Sequence, residues 1–123
     1  DHPFKSSLTG QSSAELAAAY TKATGKQWSM PLGFKHSLFE VAIAALKKSE
    51  GKGAKAIRDA IAATDLATIV GPINFAKGPV RNVAKTPLVG GQWQRKGTGL
   101  DLVIIENGQA KTVPLGGTLK PMG

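Results

Sequence analysis

The chain has 123 residues, 41% of them apolar and 20% charged, enough for a small core and too apolar for wholesale disorder. No stretch approaches the roughly 18 uninterrupted apolar residues of a membrane span, and the absence of Cys removes disulfide frameworks, thiolate zinc sites and a cysteine nucleophile. Lys and Arg number 16 against 8 Asp and Glu, a formal charge of +8, which raises nucleic acid or an anionic membrane as a partner. The basic residues nevertheless stand singly or in pairs, and few aromatics are available for base stacking. The charge reads as a solvated basic surface.

Residues 1–11 read as an irregular lead-in. Ser12 stands three residues before Glu15, the spacing of a capping box, in which each side chain satisfies the other's backbone N–H. Leu16, Ala17, Ala19, Tyr20 and Ala23 then supply an apolar stripe, and Gly25 is placed to stop the helix in a left-handed conformation. Residues 26–33 form a connector broken by Pro31 and Gly33. The second helix, about 34–49, carries the strongest period: Leu38, Val41, Ala42, Ala45 and Leu46 fall at i, i+3, i+4, i+7 and i+8, which predicts a buried face. Lys47 and Lys48 complement the dipole of its last turn. After a turn at 49–53, a third helix spans about 54–63, with Ile57, Ala60 and Ile61 on one side.

Beyond Asp65 the pattern becomes strand-like. Residues 66–70 and 73–75 are candidate strands with a bend at Gly71-Pro72, and Gly78-Pro79 closes the unit. Residues 88–94 and 100–106 are further candidates, separated by the Gly-rich loop 95–99. Asn107-Gly108 has the signature of a type I′ hairpin returning through 111–113, and residues 115–123 read as extended coil. The plan is three helices followed by a β-rich end.

Catalysis leaves no trace in the pattern. His2 and His36 are the only histidines, neither accompanied by a nucleophile elbow, and Gly97-Thr98-Gly99 opens a strand where a phosphate loop needs a helix. The eight carboxylates read as caps, helix-surface charges or turn residues, and no spacing nominates a glycosidase pair. No cofactor or metal is expected, and the chain reads as a non-enzyme. Phe34 and His36 fall at the start of the second helix, where free N–H groups and the positive dipole end suit a ligand carboxylate. The alternative is Phe34 as a core anchor and His36 as a surface residue. Trp93 shares a strand face with Gly91 and Arg95, which suits sheet packing, and Trp28 beside Met30 suits a lid over the junction of the first two helices.

Several segments occur in fixed order: 2–9 (HPFKSSLT), AELAAAY, 33–46 (GFKHSLFEVAIAAL), 56–66 (AIRDAIAATDL), 71–82 (GPINFAKGPVRN), 86–93 (TPLVGGQW), 101–108 (DLVIIENG) and 113–122 (VPLGGTLKPM). As a set they resemble the C-terminal stretch of a type I periplasmic solute-binding protein, of the leucine/isoleucine/valine-binding family of ABC importers. The resemblance implies an α/β fold that is part of two lobes around a cleft. The helical part, about 12–63, would cover one lobe's parallel sheet, and the strand-rich part, about 66–123, would build hinge and lobe edges. It implies a periplasmic location, with which the lack of Cys agrees. The implied ligand is a branched-chain amino acid or related carboxylate, bound as the lobes close, and the implied partner is a membrane permease. Phe34 and His36 become ligand-side residues; His stands where relatives often carry Tyr, which opens specificity to other carboxylates. A piece of such a fold would leave apolar stripes exposed and would pair with the remainder of its chain or with a second copy. Two other readings stand beside this one: a receptor or sensor lobe of the same fold, and a small basic nucleic-acid-binding protein, whose affinity would fall steeply with salt.

Overall fold

The computed structural model describes residues 3–121. It contains α1 (Ser13–Thr24), α2 (Pro31–Ser49), α3 (Ala54–Ala62), β1 (Asp65–Thr68), β2 (Gly71–Asn74), β3 (Gly90–Lys96) and β4 (Gly99–Glu106). The architecture is mixed α/β, three helices and two separate two-stranded antiparallel sheets. The chain divides into two compact units, Phe4–Thr86 and a second made of Pro3 and residues 87–121. The β1–β2 hairpin therefore belongs with the helices, and the second unit begins some twenty residues beyond the change in sequence pattern at Asp65.

The first helix forms as its sequence predicts. Ser12 N–H donates to Glu15 Oε2 at 2.7 Å while Glu15 N–H donates to Ser12 Oγ at 3.3 Å, completing the capping box. Gly25, at φ 66°, closes the other end with its N–H on the Thr21 carbonyl.

Helix α2 departs from expectation in two ways. It starts at Pro31, inside the segment read as a connector, because a proline at N1 has no N–H to lose and its φ is already helical. Its facing also differs from the predicted one over its first half. Of the five residues predicted to be buried only Ala45 is; Leu38 is 70% and Leu46 52% exposed, and Phe39 between them is 67% exposed. The buried residues are Ser37, Glu40, Ala45 and Ser49. Around Ser37 and Glu40 buried hydrogen bonds turn a polar side of the helix inward, whereas at Ala45 and Ser49 the side predicted from the period is the buried one. Helix α3 buries Ala60 and leaves Ile57 half-buried, while Ile61 sits at the edge of exposure.

Strands β1 and β2 pair from Asp65↔Asn74 to Thr68↔Gly71. The turn is therefore Ile69-Val70, and the predicted bend residues Gly71-Pro72 open β2 instead. Thr68 sets this turn: its Oγ1 donates to the Gly71 carbonyl at 2.7 Å and accepts from Val70 N–H at 3.3 Å. Ile69 is buried at the tip and joins Ala45, Ala60 and Ile73 in a small apolar core.

In the second unit β3 and β4 form a hairpin with Lys96 opposite Gly99, so Gly97-Thr98 is a two-residue loop. Gly97 has φ 59°, a conformation costly to a residue with a Cβ. The hairpin predicted at Asn107-Gly108 does not form. Asn107 Nδ2 instead donates to the Val113 carbonyl at 2.7 Å across consecutive turns, with Ala110 N–H on the Asn107 carbonyl and Val113 N–H on that of Ala110. This buries Ala110 and Val113 beside Ile104. The following coil is tied to β3: Gln92 exchanges two bonds with the Lys120 backbone, at 2.7 and 3.0 Å, and Gln94 donates to the Thr118 carbonyl at 3.0 Å.

Candidate ligand-binding site

The two residues nominated from the sequence lie in the first half of α2. Because the helix begins at Pro31, Phe34 ends its first turn and His36 lies in its second, beyond the first-turn N–H groups that lack an intrahelical acceptor. Residues two apart on a helix differ by about 200° in direction, and the burial follows: Phe34 is 44% exposed on the outer side, and His36 is half-buried on the inner side. The structure does not bring the two side chains together.

The inner face holds a network that the pattern of apolar residues did not indicate. Residues 6–11 fold into a tight turn, closed by Ser6 N–H on the Gln11 carbonyl at 2.8 Å and Gly10 N–H on that of Ser6 at 2.9 Å. Within it the Ser6 hydroxyl accepts the N–H groups of Leu8 and Thr9, each at 3.2 Å. The same hydroxyl lies 2.7 Å from His36 Nε2. One helical turn later, Glu40 Oε1 accepts both the backbone N–H and the hydroxyl of Ser7, at 2.6 and 2.8 Å. Its other oxygen takes Ile69 N–H at 3.0 Å. Ser37, between them, donates to Thr68 Oγ1 at 3.2 Å. One face of α2 thus grips the N-terminal turn with His36 and Glu40 and the β1–β2 turn with Ser37 and Glu40.

Glu40 is fully buried, which corrects its assignment as a helix-surface charge. A carboxylate removed from water needs compensation, and three N–H or O–H donors converge on it here. Its position four residues after His36 and three after Ser37 was the available signal, since all three share a face of a 3.6-residue helix.

The Ser6–His36 pair has the heavy-atom spacing of a nucleophile and its base. Ser6 is only 4% exposed and its lone pairs already take two backbone donors, so this hydroxyl closes a turn rather than presenting itself to a substrate. Among the described residues no three His, Asp or Glu side chains group as metal ligands. Trp28 is half-buried and Met30 beside it exposed, and Trp93 pairs across the hairpin with Leu102. His2 lies outside the described residues.

Elsewhere in the first unit, a groove of about 780 Å³ lies between α3 and the segment after β2, lined by Ile57, Arg58, Asp59, Ile61, Phe75 and Arg81 among others. Asp59 is held below the usual carboxylate range by its bond from Lys55 and then by Arg58, and Lys55 is raised in return by Asp59.

No protein-family model, curated protein or solved structure matches this chain.

Proposed function

We propose that the chain belongs to a solute-binding protein of the type I periplasmic kind, in which it takes part in binding a branched-chain amino acid or a related small carboxylate in a cleft between two lobes, for delivery to a membrane permease. The reading rests on the ordered set of segments described above, and one structural observation supports it: α2 carries its apolar residues outward. Phe34, Leu38, Phe39, Ala42 and Leu46 occupy one arc of the helix and are exposed, while Ser37, Glu40, Ala45 and Ser49 are buried and Leu32, Val41 and Ile43 half-buried. An apolar arc of this length is the complement of a sheet face, which is how such a helix would be used on a lobe of this fold. His36 is the ligand-side donor in this reading. Phe34, on the outer arc, belongs with the surface that meets the rest of the protein.

Isothermal titration of the full chain with leucine, isoleucine, valine and phenylalanine tests the reading. Saturable binding of at least one amino acid, little altered between 50 and 300 mM salt (about the range over which counterion release would show) and weakened in His36→Ala, is the expected result. No saturable binding to any of them would overturn it. Binding of an oligonucleotide that collapses with salt would favour the nucleic-acid reading instead.

A further inference from the structure

The Ser6 hydroxyl has one proton and two lone pairs. Both lone pairs are engaged, by Leu8 N–H and Thr9 N–H, so the proton is what remains for the third contact, His36 Nε2 at 2.7 Å. For Nε2 to accept it, that nitrogen must be unprotonated. A neutral imidazole then carries its hydrogen on Nδ1. An imidazolium has N–H groups on both nitrogens and would face Ser6 with a donor where no acceptor is left.

We propose that Ser6 fixes His36 in the Nδ1–H tautomer, and that protonation of His36 opens the Ser6 half of the attachment between the 6–11 turn and α2 while the Ser7–Glu40 half holds, making this attachment a pH-sensitive clasp. The clasp has two halves of different character. The Glu40–Ser7 half uses a carboxylate acceptor and two donors, the Ser7 N–H and hydroxyl; the His36–Ser6 half uses an imidazole nitrogen, which accepts only while it carries no proton. Several charged groups surround the ring by position. Glu40 lies one turn along the same face, Lys35 precedes it on α2, and Lys5 precedes Ser6 in the docked segment. Helix α1 carries one acid, Glu15, already held by Ser12, and one base, Lys22, in its last turn. The β1–β2 hairpin contributes only Asp65, at the end of its ladder away from the turn. On α3, Lys55, Arg58 and Asp59 pair among themselves. Glu40 is the one buried acid in this set, so an imidazolium is drawn toward Glu40 and away from Ser6.

Nuclear magnetic resonance of the uniformly ¹⁵N-labelled full chain tests this directly. At pH 8 a long-range ¹H–¹⁵N correlation should show His36 as the Nδ1–H tautomer, with its signals assigned by their loss in His36→Gln. Amide-exchange protection of Leu8 and Thr9, corrected for intrinsic rates, should fall about five- to tenfold on acidification. Its midpoint should coincide with the His36 ring titration. In His36→Gln the side-chain carbonyl accepts the Ser6 proton at every pH, so protection should persist without the transition. An Nε2–H tautomer at pH 8 would overturn the proposal in the unmodified chain, whatever the variant does. A protection midpoint apart from the ring titration, or a transition retained in His36→Gln, would equally overturn it.

Discussion

The two units solve the problem of a small core in different ways. In Phe4–Thr86 a small apolar core of Ala45, Ala60, Ile69 and Ile73 is accompanied by buried polar groups that join the segments, Glu40, Ser6, Ser37 and Thr68, while Leu38, Phe39 and Leu46 lie outside. In the C-terminal unit the interior is apolar, Ile104, Ala110 and Val113, and the polar Gln92 and Gln94 sit at the edge, where they hold the passing coil. The difference teaches what each arrangement does. Hydrogen bonds specify which surfaces meet, since each donor needs its own acceptor, whereas apolar burial supplies most of the favourable free energy and is indifferent to direction. The helical unit is therefore well specified in its internal joints while Phe34, Leu38, Phe39 and Leu46 of α2 stay exposed.

The sharpest way to break this contrast is at Glu40. Replacing Glu40 by Ala leaves the buried Ile69 N–H without its acceptor and removes both bonds to the exposed Ser7, and the expected loss is about 2–4 kcal/mol, read from urea unfolding. A loss under about 1 kcal/mol would mean that the polar joint does not hold the unit. The counterpart in the other unit is milder. Gly97→Val forces a β-branched residue to φ 59° and should cost about 1–2 kcal/mol, with line broadening confined to β3 and β4.

Ser12→Ala should cost about 1 kcal/mol, seen as fraying of the first turn of α1 by amide exchange. Its pH dependence has a definite sign. Glu15 is held below the usual glutamate range by the Ser12 N–H and then by the Ser12 hydroxyl. The capping contribution is therefore complete above the unfolded value of 4.5 and disappears as pH falls through the lowered native value. In Ser12→Ala that acid-dependent part should shrink.

The smallest expected effect is the most informative about the outer face. Leu38→Gln with Phe39→Gln should change the unfolding free energy of the chain by no more than about 0.5 kcal/mol, because neither residue is buried. If this face meets a second copy, sedimentation should show self-association in the parent chain and its loss in the double variant. A stability loss of several kcal/mol at a concentration where the chain is monomeric would show that Leu38 and Phe39 are packed within it.

The ends of elements were legible wherever a local rule governs them. Ser12, Glu15 and Gly25 bound α1 through contacts no more than four residues apart, and Gly97 marks a turn by its own backbone freedom. Pro31 was misread because proline is a breaker inside a helix and a starter at its first position, and only the start point tells the two apart. Asn107-Gly108 was misread for a related reason: Asn can supply a positive φ to a hairpin or lend its side chain to a turn, and here the Val113 carbonyl takes the side chain. At the candidate site, His36 was legible as a residue type of interest. Its partner Ser6 was not, being 30 residues away and ordinary in composition.

The sequence by itself determined the order of the elements, three helices before the strands, the caps of α1 and the helical period of α2. All of these follow from interactions within a few residues. Only the tertiary structure decided which arc of α2 faces inward, that Glu40 is buried, and that Thr68 moves the first hairpin's turn to Ile69-Val70. The physical reason is common to the three. Apolar periodicity marks a face that prefers to leave water but does not say what will cover it, and it is silent about a competing polar face. When Ser6, Ser7, Thr68 and the Ile69 N–H present matched donors and acceptors, the polar arc is the one that finds its partners within these residues.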